Sequence, residues 1–228
     1  EVNSLRQSGK RTRIEVWRLK IAAIVPAYNE EDNISKVLVP LGFAKEQGYI
    51  HQVLVVCDGC EDRTADVAKS CGAEVLELNP NRGKGGAMLE GAMFTDADML
   101  VFVDADLIGL TPEHISSLTK PLLEGRAKMS MGIFGHGRFS TDAAQKVAPF
   151  LSGQRAIFRE DFLKIPNLAT SRYGVEIEIT KYSKKHRWKV QRVVWDQMSQ
   201  VMKEEKLGFF GGLKVRLRMY WEIIKASM

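Results

Sequence analysis

Asp104-Ala105-Asp106 follows the apolar run Leu100 to Val103. Buried strands ordinarily end in turn residues rather than in paired acids. In an extended chain, residues two apart share a face, so Asp104 and Asp106 can aim both carboxylates at one point. Like charges that close repel unless a cation or hydrogen-bond donors hold them. Two readings follow: a site for a divalent cation, Mg²⁺ or Mn²⁺, which favour hard oxygen ligands, or two unrelated polar residues in a turn. Arg82-Gly83-Lys84-Gly85-Gly86 sets two cations among glycines at the start of a helical pattern. Close backbone approach and outward-pointing amides there suit a phosphate, with a flexible basic turn as the alternative. The run matches neither G-x-x-x-x-G-K-[ST] nor G-x-G-x-x-G, which excludes a P-loop and a dinucleotide fingerprint. Asp58, at the end of another apolar run, either accepts from a nucleobase N–H or caps a helix.

These residues need a frame, and an alternating pattern supplies one. Apolar runs at 21–25, 53–57, 74–78, 99–103 and 128–133 predict strands. Segments 31–47, 62–71, 84–94 and 112–124 predict helices, and Thr111-Pro112-Glu113 is a sound helix start. Repeated β-α-β predicts an α/β fold with a mainly parallel sheet and helices on both faces. Ligands on such sheets bind outside the carboxyl ends of the strands. The four strand ends are Pro26 to Glu31, Asp58 to Asp62, Asn81 to Gly86 and Asp104 to Asp106. Four consecutive junctions on one edge thus carry polar or glycine-rich chemistry.

The 228 residues, 45% hydrophobic and 27% charged, describe an ordinary globular chain able to bury a core. A net charge of +5 suits a phosphate-bearing ligand or an anionic surface, or is surplus surface lysine; no nucleic-acid partner is expected. No apolar run approaches the ~20 residues of a membrane span, and no signal-peptide pattern opens the sequence. Three cysteines argue against a disulfide framework and for a reducing, cytoplasmic compartment. Cys57 and Cys60 form a C-x-x-C without two further zinc ligands in suitable spacing, so they read as ordinary thiols.

Three segments are expected. Residues 1–20 form a basic N-terminal arm, 21–205 the α/β domain, and 206–228 an amphipathic C-terminal helix. In the last, Leu213, Leu217, Tyr220, Trp221 and Ile224 share one helical face, while Lys214, Arg218 and Lys225 cluster elsewhere. Such a helix packs on the domain, forms a homodimer seam, or makes peripheral contact with the anionic inner face of a membrane.

PAYNEE, DGCEDRT, RGKGGAM and VFVDADL, in this order and spacing, resemble the GT-A glycosyltransferases of the family 2 type. Gly137-Arg138-Phe139-Ser140, the run from Pro149 to Ala156, and Tyr173 to Ile177 are similar to the retaining branch typified by glucosyl-3-phosphoglycerate synthase. The resemblance covers residues 20 to 205 and implies a Rossmann-like nucleotide-diphospho-sugar transferase fold. It further implies that Asp104 contacts ribose and metal and that Asp106 binds metal. Pro26, Ala27, Tyr28 and Glu30 would then line the nucleoside, Asp58 the uracil, and Lys84 the phosphates. Arg138 and Ser140 would face the acceptor, with Tyr173 and Glu176 near the sugar. Arg138 suits an anionic acceptor, because its guanidinium fork matches phosphate and carboxylate.

Two positions depart from the branch. A metal-binding His expected between Trp195 and Met202 is Gln200, with His136 and His186 as candidate replacements, and an expected Arg is Met198. The implied activity is metal-dependent transfer of glucose from a UDP-sugar to a small phosphorylated acceptor, phosphoglycerate-like. A polyprenyl phosphate is the rival acceptor. An inverting course needs a carboxylate base, for which Glu176 and Asp161 are candidates. A nucleotidyltransferase and a sugar-nucleotide binding protein without turnover are the other classes.

Overall fold

The computed structural model describes residues 19–135, 152–170, 174–196 and 198–200, the last two residues by backbone alone. Arg138, Ser140, Tyr173, His136, the basic arm through residue 18 and the 206–228 segment lie outside the described residues.

The predicted strands form as β1 (Ile21–Ala27), β2 (Gln52–Asp58), β3 (Glu74–Leu78), β4 (Met99–Phe102) and β6 (Met129–Phe134). Two further strands, β7 (Arg155–Phe158) and β8 (Val190–Trp195), complete a seven-stranded sheet in the order β3-β2-β1-β4-β7-β6-β8. Only β7 runs against its neighbours; the other pairs in the sheet are parallel. The carboxyl ends of β1 to β4, β6 and β8 therefore share one edge, and β7 enters at that edge. A two-stranded ribbon, β5 (Leu107–Ile108) with β9 (Ser199–Gln200), stands beyond β4.

Helices α1 (Ile34–Glu46), α2 (Thr64–Ser70), α3 (Gly83–Phe94) and α4 (Pro112–Leu123) match the four predicted segments; α1 and α2 start later than predicted, and α3 and α4 start where the pattern placed them, to within one residue. Strand alternation divides the core. Ala23, Val25, Val53, Val55, Val101 and Val103 meet α1 and α4 on one face of the sheet. Ile24, Leu54, Val56, Leu100 and Phe102 meet α3 on the other. There they also meet Phe162 of α5 (Arg159–Phe162) and Val175 and Ile179 of α6 (Val175–Lys185). Both faces being covered, the central strands read as unbroken apolar runs.

Two local features aim the edge. A Cβ at Gly91 would stand 2.9 Å from Ile24 Cγ2 and 3.0 Å from Val56 Cγ2, so only glycine lets α3 lie this close to β1 and β2. Thr111 closes a capping box with His114, which starts α4 directly after the 104–110 loop.

Candidate active site at the carboxyl edge of the sheet

The first two junctions are tied by backbone amides that meet side chains. Glu30 N–H donates to Thr64 Oγ1 at 2.8 Å, Glu61 N–H to Asn29 Oδ1 at 2.9 Å, and Glu31 N–H to Asp62 Oδ2 at 3.1 Å. The Cys60 thiol donates to the Ala27 carbonyl at 3.5 Å. These bonds hold Pro26, Ala27 and Glu30 in place and leave the Tyr28 ring exposed beside them. Asn29 takes a positive φ of 53°, a left-handed turn that asparagine tolerates.

The second junction reaches the third through Asp58. Its carboxylate Oδ1 accepts from Arg82 N–H at 2.7 Å, and its carbonyl accepts from Asn81 Nδ2 at 2.6 Å. Arg82 is the N-cap residue of α3, so this bond fixes the entry to that helix without capping its first turn. Oδ2 takes no hydrogen bond among the described residues, and the side chain is buried. The two cations of the glycine-rich run part company. Arg82 turns to Glu90 on its own helix, while Lys84 points inward.

Lys84 Nζ lies 2.7 Å from Asp104 Oδ1 and 2.6 Å from Glu176 Oε1. Burial works against the ammonium, but the charges of Asp104 and Glu176 and their hydrogen bonds outweigh it and hold Lys84 above the usual lysine range. Asp104 also accepts from Gln154 Nε2, at Oδ2 and 2.8 Å. Behind this cluster lies Arg155, buried, whose Nε donates to the Ser152 carbonyl at 2.9 Å and whose two terminal nitrogens reach Thr180 Oγ1 at 3.2 Å. Burial pushes its guanidinium down to about 10, against the pull of Glu176 and Asp104.

Strand β4 ends at Phe102, and Ala105 and Asp106 lie in a turn, so the extended-chain premise for the acid pair holds only as far as Asp104. The alternation nevertheless persists: Val103, Ala105 and Leu107 are buried, Asp104 and Asp106 half-buried. Leu107 pairs with Gln200, which brings the Gln200 backbone opposite the residue after Asp106. The other candidates separate from this cluster. Asp161 follows the Phe158 end of β7, which pairs with Met99, so it sits at the opposite edge, beside Lys128 and Lys164. His186 closes the far end of α6 and stacks on Tyr182 at 4.1 Å. Met198 is buried in the core. The paired thiols stay free, and the Cys60 thiol is lowered to about 7, chiefly by its hydrogen bond with Cys57.

A family model described as "Glycosyl transferase family 2" matches residues 22–180. The chain belongs to glycosyl transferase family 2. This family 2 chain is 42% identical over 109 residues to a dolichyl-phosphate beta-glucosyltransferase of Drosophila melanogaster, covering 42% of the chain and 33% of that relative. It is 31% identical over 211 residues to an uncharacterized protein of Methanocaldococcus jannaschii, covering 78% and 82%. With glucosyl-3-phosphoglycerate synthase of Petrotoga mobilis the identity is 29% over 194 residues, covering 70% and 59%. The match thus spans about a third of the fly enzyme's length and about three fifths of the Petrotoga synthase's. In structure, the Mycobacterium tuberculosis glucosyl-3-phosphoglycerate synthase in complex with phosphoglyceric acid matches with a TM-score of 0.66 at 25% identity, covering 84% of this chain and 76% of that one. The mainly parallel sheet with helices on both faces is therefore the GT-A, Rossmann-like fold that the motifs implied.

In this family 2 glycosyltransferase, the motifs singled out Lys84, Asp104 and Glu176 separately, and the fold brings them into contact. Ser152, Gly153, Gln154 and Arg155 were visible only as part of a resembling block, with no role attached. Their burial beside Asp104 and Lys84 is a product of the fold and has no local signal in the sequence.

Proposed function

We infer that this family 2 glycosyltransferase moves glucose from a UDP-sugar to a small phosphorylated acceptor, with the help of a divalent cation. The observation that carries the reading is Lys84 held between Asp104 and Glu176, at the edge where Tyr28 and Asp58 also converge. An ammonium has three donors. A diphosphate that draws Lys84 off both carboxylates keeps the ammonium paired, frees Glu176 beside the sugar and leaves Asp104 to the cation. Pro26, Ala27, Tyr28 and Glu30 would line the nucleoside, and the remaining acceptor of Asp58 suits the uracil N–H.

The donor set fits Mg²⁺ or Mn²⁺. Asp104 and Asp106 offer hard oxygens, and no group of three or more His, Cys, Asp or Glu gathers among the described residues. Few protein ligands plus substrate phosphates is how such ions are ordinarily held. Asp104 and Asp106 would carry the cation, with Gln200 as a neutral oxygen from the facing strand. When bound, the ion stabilises the charge of the departing diphosphate. Lys84 adds a fixed positive charge on the same group. Glu176, freed from Lys84, then orients the acceptor or, in an inverting course, accepts its proton. Arg138, Ser140 and Tyr173 would complete the acceptor side. The Mycobacterium tuberculosis synthase solved with phosphoglyceric acid, 25% identical, supports a small phosphorylated acid as acceptor.

The identity with the dolichyl-phosphate enzyme, and 29% identity over 112 residues with an undecaprenyl-phosphate transferase of Edwardsiella ictaluri, favour a second reading. Here the acceptor phosphate belongs to a polyprenol, and the basic 206–228 segment would meet the bilayer. Either acceptor presents a phosphate monoester, the group that Arg138 would bind. The test measures UDP release from UDP-glucose with and without Mn²⁺, offering 3-phosphoglycerate in solution or polyprenyl phosphate in anionic vesicles. Release with the soluble acid supports the first reading, and release only with vesicles supports the second. UDP-glucose bound without release in either arm would make the chain a sensor and sink both, as would a chain that uses no sugar nucleotide.

A further inference from the structure

We propose that Gln154 is a positioning residue for Asp104, setting the orientation of that carboxylate before donor and cation arrive. The proposal rests on the donor reading above. Gln154 is 1% exposed, immediately before β7 at the carboxyl edge. Its backbone is pinned, because Gly132 N–H on β6 donates to its carbonyl at 2.9 Å. Its side chain bridges two groups: Nε2 donates to Asp104 Oδ2 at 2.8 Å, and Oε1 accepts from Ser152 Oγ at 2.9 Å. A carboxylate only accepts, so the amide must turn its NH₂ to Asp104. The Ser152 hydroxyl proton is then shared between Oε1 and the Gly132 carbonyl. The amide has one orientation that satisfies both Asp104 and Ser152.

Asp104 therefore has its two oxygens separately assigned, Oδ1 to Lys84 and Oδ2 to Gln154. The two holds differ in kind. Lys84 is long, charged and shared with Glu176, so an arriving diphosphate draws it away. Gln154 is neutral, buried and fixed at both ends, so it keeps its bond while Lys84 moves. The carboxylate keeps its direction through the exchange.

The surrounding segment has no slack. A Cβ at Gly153 would stand 2.6 Å from both Asp104 oxygens and 2.7 Å from Lys84 Nζ. Arg155 closes the turn through the Ser152 carbonyl and ties it to Thr180, which donates to the Glu176 carbonyl at 2.7 Å. Positions 152 to 155 thus form a rigid back wall for all three charges. Partners that orient a ligand carboxylate without touching the ion typically change metal affinity about 10- to 100-fold when removed.

The experiment titrates Mn²⁺ into the full chain at saturating UDP and reads free Mn²⁺ by electron paramagnetic resonance, with metal-free uridine binding measured alongside. Gln154→Met keeps length and burial and removes both hydrogen bonds. It should raise the Mn²⁺ dissociation constant by about 10-fold or more and leave uridine binding within about 2-fold. Ser152→Ala, a milder change, should move Mn²⁺ affinity the same way by less. A wild type that binds UDP and Mn²⁺ together, with both variants equal to it, overturns this proposal alone. Equal losses of uridine and Mn²⁺ binding in both variants also overturn it, since that is what a purely structural glutamine would do. A wild type that binds no UDP with Mn²⁺ sinks the donor reading, and the proposal with it.

Discussion

Between β1 and β2 the junctions are tied by backbone amides donating to neutral and acidic side chains, whereas between α3, β4 and α6 the ties are ion pairs. On the first side, adjacent parallel strands set consecutive loops next to each other, and Asn29, Asp62 and Thr64 lace one to the next. Those bonds are complete without a ligand, and the surface they present, with Tyr28 and Asp58, is ready-made. On the second side, Lys84 serves two carboxylates at once, and a diphosphate must compete for it. The platform can recognise by shape, while the ion cluster can respond to charge. A donor carries both, a nucleoside for the first region and a diphosphate for the second.

Breaking the second region should cost most. Asp106→Asn leaves the platform intact and should lower metal-stimulated UDP release by more than about 100-fold, beyond the usual effect of losing a supporting partner. Turnover equal to wild type at saturating donor would remove Asp106 from metal binding. Lys84→Ala should sharpen the comparison by separating the two halves of one ligand. Losing a charge-assisted hydrogen bond, about 1.5–3 kcal/mol, should weaken UDP binding about 10- to 100-fold and hardly change uridine binding. Calorimetry giving equal losses for both ligands would show that Lys84 reads no phosphate.

Gly153→Ala tests whether the wall behind the cluster can yield. Its Cβ must displace Asp104 or the backbone, so thermal unfolding should show a loss of about 1–3 kcal/mol, with weaker UDP binding. An unchanged melting curve would mean that the segment moves freely. The smallest effect belongs to the platform. The Cys60 thiol, lowered to about 7, should be alkylated by iodoacetamide with a rate rising through neutral pH. Cys57, buried and raised by its bond to Cys60 and by burial, should stay unlabelled. Equal labelling of both cysteines in the folded protein would contradict that assignment.

Strand ends were the most legible part of both regions. Asp58 closes β2 and Asp104 follows β4, and a strand end is visible in the local pattern of apolar run followed by polar residues; Lys84 is marked instead by the glycines that open α3. Even there, the destination of a side chain was not legible: Arg82 and Lys84 look equivalent in the glycine-rich run, yet one pairs with Glu90 along its helix and the other with the cluster. Glu176 and Asp161 were likewise both candidates as bases. The reversed direction of β7 separates them, carrying Asp161 to the far edge while α6 returns Glu176 to the site. Met198, in place of an expected arginine, is explained by the core it fills.

The sequence by itself determined the α/β alternation, the shared edge of four junctions and the family, because hydrophobic period and turn chemistry act over a few residues. The tertiary structure alone decided which charges meet. Lys84 and Glu176 are 92 residues apart, and Asp104 and Gln154 are 50 apart. No local period encodes such pairs; they exist because strand order places β4 beside an antiparallel β7, and because a partly buried ion cluster forms only where the chain brings its members together.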